Sequence, residues 1–242
     1  MSEPQTPWRW RLLCCPKRGH SAAESEDAAA ADADLGRFAV ADGASESAFA
    51  GDWSRLLTDA FAQAPVVEGG WSAWLKPIQE RWLAAVGGRD MPWFLEDKFE
   101  QGAFATFLGL ELLRRDKGWN WTSVAVGDCC LIQIRADALL KKFPILRSID
   151  FDGTPDLLGS RQRDVERDFW SAGELIQGDR LLCMTDALAQ WFLAQTEAGL
   201  TPWRMVAQIE REPDAFAEWV EKLRQEKALR NDDVTLLTIE AT

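Results

Sequence analysis

Apolar residues follow two different periods along this chain of 242 residues. Between residues 49 and 86 they recur every three or four positions, which is the spacing of one face of an α-helix. The same spacing predicts further helices near residues 188–194, 203–209 and 216–223. The first stretch predicts two amphipathic helices on either side of a glycine pair, with these apolar positions: Phe49, Trp53, Leu56, Leu57, Ala60, Phe61, then Trp71, Trp74, Leu75, Ile78, Trp82 and Val86.

Short apolar or alternating runs predict β-strands elsewhere in the chain. WRWRLLCC opens the chain, FAVA follows at residues 38–41, and several runs between 103 and 150 are separated by turns, as in an antiparallel meander. RLLCMTD and DDVTLLTIE supply two later strands. Residues 16–35 are small and polar and form a candidate linker, and residues 151–164 form a polar loop. The order of elements predicts an α+β fold, with antiparallel sheets and helices packed outside them, in one domain over residues 1–242.

Four of the predicted strands carry an aspartate at one end. Asp42, Asp128 and Asp186 come at the ends of their strands, whereas Asp232 precedes the last strand. The alternation of side chains along a strand places each aspartate on the face of its strand's apolar residues. Because antiparallel neighbours bring the end of one strand beside the start of the next, we expect the four carboxylates to meet at one edge of the core. Any one of them alone is equally well explained as a turn or cap residue.

A cluster of carboxylates needs cations or protons, because like charges repel and burial makes the repulsion more costly. Oxygen ligands without histidine or cysteine favour Mg²⁺ or Mn²⁺ over zinc. Glu26 and Asp27 lie shortly before the strand that carries Asp42 and are candidates to join the cluster. The sequence therefore predicts a site for hard divalent cations.

The composition argues against some classes of binding partner. A net charge of −12 disfavours nucleic-acid binding, because the surface repels phosphate backbones. No apolar stretch approaches the ~20 residues that span a bilayer, and the first residues lack the apolar core of a signal peptide. Five cysteines without Cys-x-x-Cys spacing argue against a disulfide framework or a zinc site. We expect a cytoplasmic, monomeric protein that binds neither nucleic acid nor membrane.

Six short motifs in order resemble those of the type 2C, metal-dependent serine/threonine protein phosphatases, the PPM family. They are SEDAA at residues 25–29, VADGAS at 40–45, GAFATFLGLEL at 102–112, AVGDCC at 125–130, CMTDAL at 183–188 and NDDVT at 231–235. The resemblance extends from about residue 19 to residue 240. It implies an antiparallel β-sandwich flanked by pairs of α-helices, in α-β-β-α layers.

The resemblance also implies roles for individual residues. Asp42 would bridge two Mn²⁺ or Mg²⁺ ions, the carbonyl of Gly43 would bind one of them, and Asp186 and Asp232 would hold the other. Glu26 and Asp27 would bind metal-coordinated waters, and Asp128 corresponds to the ligand of a weaker third ion in some members. The implied activity is hydrolysis of phosphoserine and phosphothreonine on proteins by a water activated between two metal ions, opposing a serine/threonine kinase. No phosphoenzyme is needed.

The sequence departs from the family pattern around the phosphate and at the third ion. The usual basic residue four positions before Glu26 is Ala22, so His20, the only histidine, is a candidate phosphate contact or general acid, and Arg18 is another. A solvated loop histidine is the alternative for His20. Gln190 and Cys130 replace a carboxylate and an arginine of the pattern. The sequence is compatible with three hypotheses: an active protein phosphatase, a non-enzymatic regulatory module on the same fold, and a small-molecule phosphatase.

Overall fold

Two antiparallel β-sheets face each other in this computed structural model, which describes residues 7–89, 92–115, 118–151, 153–162, 164–212 and 214–242, without the side chain of Phe94. The first sheet has the strand order β1-β11-β10-β6-β7, and the second has the order β2-β3-β4-β5-β9, with the short strand β8 paired to β4. The strands are β1 (Trp8–Cys15), β2 (Ala28–Asp32), β3 (Arg37–Gly43), β4 (Phe104–Arg115), β5 (Gly118–Val126), β6 (Cys130–Arg135), β7 (Ala138–Phe143), β8 (Leu158–Gly159), β9 (Phe169–Leu175), β10 (Arg180–Met184) and β11 (Val234–Ala241).

Helices cover the outer face of each sheet. Those in the described residues are α1 (Ala50–Gln63), α2 (Trp71–Val86), α3 (Trp93–Gln101), α4 (Asp186–Glu197), α5 (Pro202–Ile209) and α6 (Ala215–Gln225). The first and second pack on the second sheet, and the last three pack on the first sheet. The α-β-β-α layering predicted from the sequence is confirmed. No helix in the described residues combines the length and apolar character needed to cross a bilayer.

Alternation of side chains along the strands divides the interior into three apolar layers. Along β3, Phe38 and Val40 point between the two sheets, while Ala39 and Ala41 point outward to the helices. The outer contact is close: a Cβ at Gly109 in β4 would lie 2.3 Å from the ring of Phe61 in α1. This glycine lets the helix pack directly on the sheet backbone.

Four elements are absent from the sequence prediction. Strand β2 lies in the candidate linker, and its alanine-rich sequence AAAAD has little of the β-branched or aromatic character that marks strands. It is an edge strand that pairs with β3 over residues 28–32. The two-residue strand β8 lies in the predicted polar loop, and strand β9 and the short helix α3 complete the set. In β9 only Leu175 is buried, so its sequence does not show the alternation that marks a strand.

Candidate metal centre

Four predicted carboxylates meet at one end of the sandwich. Asp42 lies near the end of β3, opposite Thr106 of β4. Asp128 and Asp232 lie close enough to Asp42 for their negative charges to act on its carboxyl group. Asp186 joins them, because Arg230 is ion-paired to both Asp186 and Asp232. The structure thus brings the four strand-end aspartates together.

Of the four, only Asp42 lies within a strand. Asp128 is in the turn between β5 and β6, Asp186 is the first residue of α4, and Asp232 precedes β11 by two residues. The apolar residues of β5 and β10 that were assigned to the same faces as these aspartates point outward to the helices. Convergence therefore comes from the turns at the strand ends, and alternation along the strands accounts only for Asp42.

Gly43 allows the Glu26-Asp27 segment to lie against Asp42. Its N–H donates to the carbonyl of Glu26 at 3.2 Å. A Cβ at this position would stand 2.9 Å from that carbonyl oxygen and 2.9 Å from the Cβ of Ala50. Because both are fixed by the backbone, a side chain at residue 43 would push the two segments apart.

Asp233 ties the start of β11 to the same segment. Its two carboxylate oxygens accept the backbone N–H groups of Lys17 and Glu26, each at 2.8 Å. The side chain is buried, and its hydrogen bonds join the start of β11 to two residues that lie more than 200 positions earlier in the sequence. Asp233 therefore positions the neighbouring Asp232 and Glu26.

Asp27 is buried with half of its carboxylate unpartnered. The hydroxyl of Thr185 donates to Oδ2 at 2.9 Å, and Thr185 in turn accepts the N–H of Thr235 at 3.0 Å. The other oxygen, Oδ1, has no hydrogen-bond partner among the described residues, and the same is true of Oδ1 of Asp186. Buried carboxylate oxygens are rarely left unpaired in a structural role.

Burial and mutual repulsion shift the acidity of the cluster. Burial raises the pKa of Asp27 to about 7, and the negative charges of Asp233 and Asp232 add to the shift. The pKa of Asp42 is also raised well above its usual value, first by desolvation and then by the charges of Asp27, Asp232 and Asp128, against a smaller opposing effect of Arg230. The site holds more negative charge than its own hydrogen bonds compensate.

Two basic residues that the sequence analysis did not single out compensate part of this charge. Lys17 Nζ lies 2.6 Å from Oε2 of Glu26 and 3.1 Å from the hydroxyl of Ser45. Arg230 pairs through Nη2 with Oδ2 of Asp186, and its Nε lies 3.4 Å from Oδ2 of Asp232. Arg230 stands only two residues before Asp232 in the sequence, which is the one signal that could have identified it.

The predicted phosphate contacts lie outside this network. His20 is exposed, and its side chain makes no hydrogen bond to any described residue. The guanidinium of Arg18 is paired to Glu221 of α6, with Nη2 2.5 Å from Oε1. Neither prediction gains support from a contact with the carboxylates.

The surroundings of Asp128 fit the departures seen in the sequence. Cys130 is buried and its thiol lies 3.3 Å from the carbonyl of Asp128, while Gln190 donates to the carbonyl of Ser148 at 3.4 Å. The polar loop at 151–164, of which residues 152 and 163 lie outside the described part, passes beside this turn. A Cβ at Gly127 would stand 2.6 Å from the carbonyl of Asp156.

The donor set suits a hard divalent cation. It consists of carboxylates and a backbone carbonyl, and two of its buried oxygens have no hydrogen-bond partner in the described part of the chain. As arranged, no three histidine, cysteine or acidic side chains in the described ranges already enclose a metal position. Arg230 is paired with two of the candidate ligands, Asp186 and Asp232. The chemistry of the residues fits Mn²⁺ or Mg²⁺.

Comparison with known proteins identifies the fold. No family model and no curated protein matches the sequence. Among solved structures, the serine/threonine phosphatase Stp1 from Staphylococcus aureus matches with a TM-score of 0.66 at 12% identity, over 96% of this chain and 94% of that one. The catalytic domain of the serine/threonine phosphatase PstP, solved with two manganese ions, matches with a TM-score of 0.58 at 19% identity, over 96% and 97%.

A third match carries the family designation that the motifs resemble. The PPM Ser-Thr phosphatase MsPP from Mycobacterium smegmatis, solved with cacodylate, has a TM-score of 0.57 at 17% identity, over 97% of this chain and 98% of that one. Identities this low establish the fold rather than the activity. This chain therefore has the fold of the PPM-type serine/threonine phosphatases over nearly its whole length.

Proposed function

We propose that this protein is a Mn²⁺- or Mg²⁺-dependent phosphatase that hydrolyses phosphoserine and phosphothreonine on proteins and opposes a serine/threonine kinase. The observation that carries the proposal is the cluster of incompletely paired carboxylates at one end of a PPM-type fold. The cluster joins residues that are up to 207 positions apart, and its surplus charge suits cations better than a purely structural role.

The ligand assignment follows the resemblance and is compatible with the geometry. Asp42, Asp186, Asp232 and the carbonyl of Gly43 would hold two ions. Glu26 and Asp27 would bind waters at the site, and Asp128 is the candidate for a third ion. Bound divalent ions supply Lewis-acid activation of water and neutralise charge on a phosphoryl group.

Asp27 would act on the attacking water, and Lys17 would act on Glu26. Oδ1 of Asp27 is free to accept a hydrogen bond or a proton, while Thr185 fixes the orientation of the carboxyl through Oδ2. Lys17 holds Glu26 in place through its ion pair. Asp27 would orient the attacking water and accept its proton, and Lys17 would only position Glu26.

The cysteines favour water as the nucleophile. Cys15, Cys129, Cys130 and Cys183 are buried and Cys14 is exposed, and desolvation raises the pKa of Cys14 and, more strongly, that of Cys129. Since the thiolate is the reactive form, a buried thiol of high pKa is a poor nucleophile. Direct hydrolysis needs no covalent intermediate on the protein. A net charge of −12 also suits protein substrates with basic residues flanking the phosphate.

The test is hydrolysis of p-nitrophenyl phosphate and then of phosphopeptides, in Mn²⁺, Mg²⁺ or EDTA. Asp42→Asn and Asp186→Asn should each reduce Mn²⁺-dependent turnover on the order of 10³-fold, because metal ions supply several kcal/mol of transition-state stabilisation. The matched control is Asp137→Asn. Asp137 lies at the far end of β6 from the site, in an exposed pair with Arg204, and its loss should leave turnover unchanged.

One observation favours a second candidate, a regulatory module without catalytic activity. Arg230 already supplies a positive charge to one oxygen of Asp186 and one of Asp232. If folded protein binds Mn²⁺ and yet hydrolyses neither p-nitrophenyl phosphate nor phosphopeptides, the regulatory module is the correct function. Turnover that persists undiminished in EDTA would exclude the metal-dependent mechanism.

A further inference from the structure

A guanidinium stands inside the carboxylate cluster. Arg230 contacts Asp186 through Nη2 and lies 3.4 Å from Asp232 through Nε. These are the two aspartates expected to hold one ion together. The side chain of Arg230 is 38% exposed, whereas that of Asp186 is 11% exposed, so the arginine reaches inward from the mouth of the site.

We infer that Arg230 is a displaceable internal cation that competes with a divalent metal ion for Asp186 and Asp232, an inference that rests on the function proposed above. An ion coordinated by these carboxylates and a guanidinium paired to the same oxygens exclude each other. The metal-free protein thereby carries its own counter-charge, and metal loading becomes an exchange of one cation for another.

The backbone around Arg230 is anchored, so the exchange requires only rotation of a side chain. Leu229 is buried on one side of it. On the other side, the carbonyl of Asp232 accepts a hydrogen bond from Nη2 of Arg224 at 2.6 Å. Between these two fixed points the exposed stem of Arg230 can turn toward solvent while Asp232 stays in place.

The other basic residue of the site does not compete in the same way. Lys17 pairs with Glu26, which would contact waters rather than an ion, and both side chains are more enclosed than Arg230.

The first experiment measures Mn²⁺ affinity by isothermal titration calorimetry in the wild type, Arg230→Gln, Arg230→Lys and Arg18→Gln. Arg230→Gln should bind Mn²⁺ on the order of tenfold more tightly, since the ion no longer has to displace charge-assisted hydrogen bonds. Arg230→Lys should fall between this variant and the wild type, because lysine keeps the charge but loses the planar fork.

Arg18→Gln is the matched control for net charge. Arg18 lies beside the same loop, with its N–H 2.9 Å from Oδ1 of Asn231, but its guanidinium pairs with Glu221. Its loss should leave Mn²⁺ affinity unchanged. If Arg230→Gln binds Mn²⁺ no more tightly than the wild type, or if Arg18→Gln tightens binding equally, the inference is wrong.

The second experiment uses the unaltered protein and does not depend on a variant folding. Phenylglyoxal modification of arginines is followed by mass spectrometry in EDTA and in saturating Mn²⁺. Arg230 should react several-fold faster with Mn²⁺, while Arg135, paired with buried Asp179, serves as an internal reference. Equal modification of Arg230 in the two conditions would overturn the exchange.

The two proposals fail separately. Tighter Mn²⁺ binding by Arg230→Gln, with no hydrolysis by any variant, supports the exchange and refutes the phosphatase. Mn²⁺-dependent turnover with no change of affinity in Arg230→Gln does the reverse. Absence of Mn²⁺ binding in every variant overturns both.

Discussion

Aspartates are buried at both ends of the first sheet, but those at one end are fully hydrogen-bonded and those at the other end are not. At one end, Asp179 in the turn before β10 is fully buried and fully paired. It accepts hydrogen bonds from Arg135 at 2.7 and 2.8 Å, from Gln133 at 2.9 Å and from the N–H of Ile176 at 3.1 Å. At the other end, Asp27 and Asp186 each keep one buried oxygen without a partner in the described residues.

Acidity follows this difference in hydrogen bonding. Burial opposes ionisation of Asp179, but the hydrogen bonds from Arg135, Ile176 and Gln133 outweigh it and lower its pKa. For Asp27, burial prevails and raises the pKa to about 7. Burial of a carboxylate therefore does not by itself mark a functional site. What distinguishes the candidate metal centre is burial without enough internal donors.

The largest effect on stability should come from the end of the first sheet at which Asp179 is fully hydrogen-bonded. Asp179→Asn replaces a carboxylate by an amide whose NH₂ group faces donors, so we expect a loss of about 2–3 kcal/mol in the free energy of unfolding. Urea denaturation in EDTA measures it. Mn²⁺ affinity should not change, because Asp179 lies at the opposite end of β10 from Asp186. A destabilisation below about 0.5 kcal/mol would mean that this network contributes no more than a surface ion pair.

The next effect is a pH dependence of the metal-free protein. The pKa of Asp27 rises from 3.8 to about 7 on folding, so the folded chain keeps this proton to higher pH than the unfolded chain. The contribution is fully favourable below about pH 4 and is lost as the pH rises to about 7. We expect Asp27 to lower the free energy of unfolding by on the order of 2 kcal/mol between pH 4.5 and 7.5.

The variant Asp27→Asn isolates this contribution from the other acids. Urea denaturation in EDTA at several pH values should show a smaller decline in the variant than in the wild type. Identical slopes would show that Asp27 has an ordinary pKa in the folded protein.

The smallest effect has the opposite sign to the first. Asp42→Asn removes a charge from a repelling cluster, so the protein in EDTA should become more stable by about 1 kcal/mol. The substitution is the same as at residue 179, which makes the pair a matched comparison. Destabilisation at both positions would remove the distinction between the two ends of the sheet.

Much of the fold could be predicted from the sequence, because the apolar spacing typical of helices repeats along several segments. The stripes from Phe49 to Val86 predicted α1 and α2 with nearly correct bounds, and the later stripes correspond to α4, α5 and α6. Long amphipathic segments are readable because their period repeats several times. Strand β2 was missed because its alanine-rich sequence lacks β-branched and aromatic residues. Strand β8 has only two residues, and β9 buries only Leu175, so neither shows an alternating pattern.

Residue types and their order determined the acidic part of the site. Asp42, Asp128, Asp186 and Asp232 were selected by their place beside apolar runs, and the structure brings them together as expected. Spacing alone could not show which oxygens stay unpaired, because Thr185 and Asp27 are 158 positions apart along the chain.

Only the tertiary structure decided how the charge of the site is balanced. Lys17 and Arg230 belong to no motif, and they enter the cluster because the turn after β1 and the loop before β11 meet the same carboxylates. Electrostatic energy depends on distance and burial, and neither is encoded in any short stretch of sequence. The sequence thus specified the carboxylates of the proposed cation site, and the packing of the loops decided that an arginine of the chain lies among them.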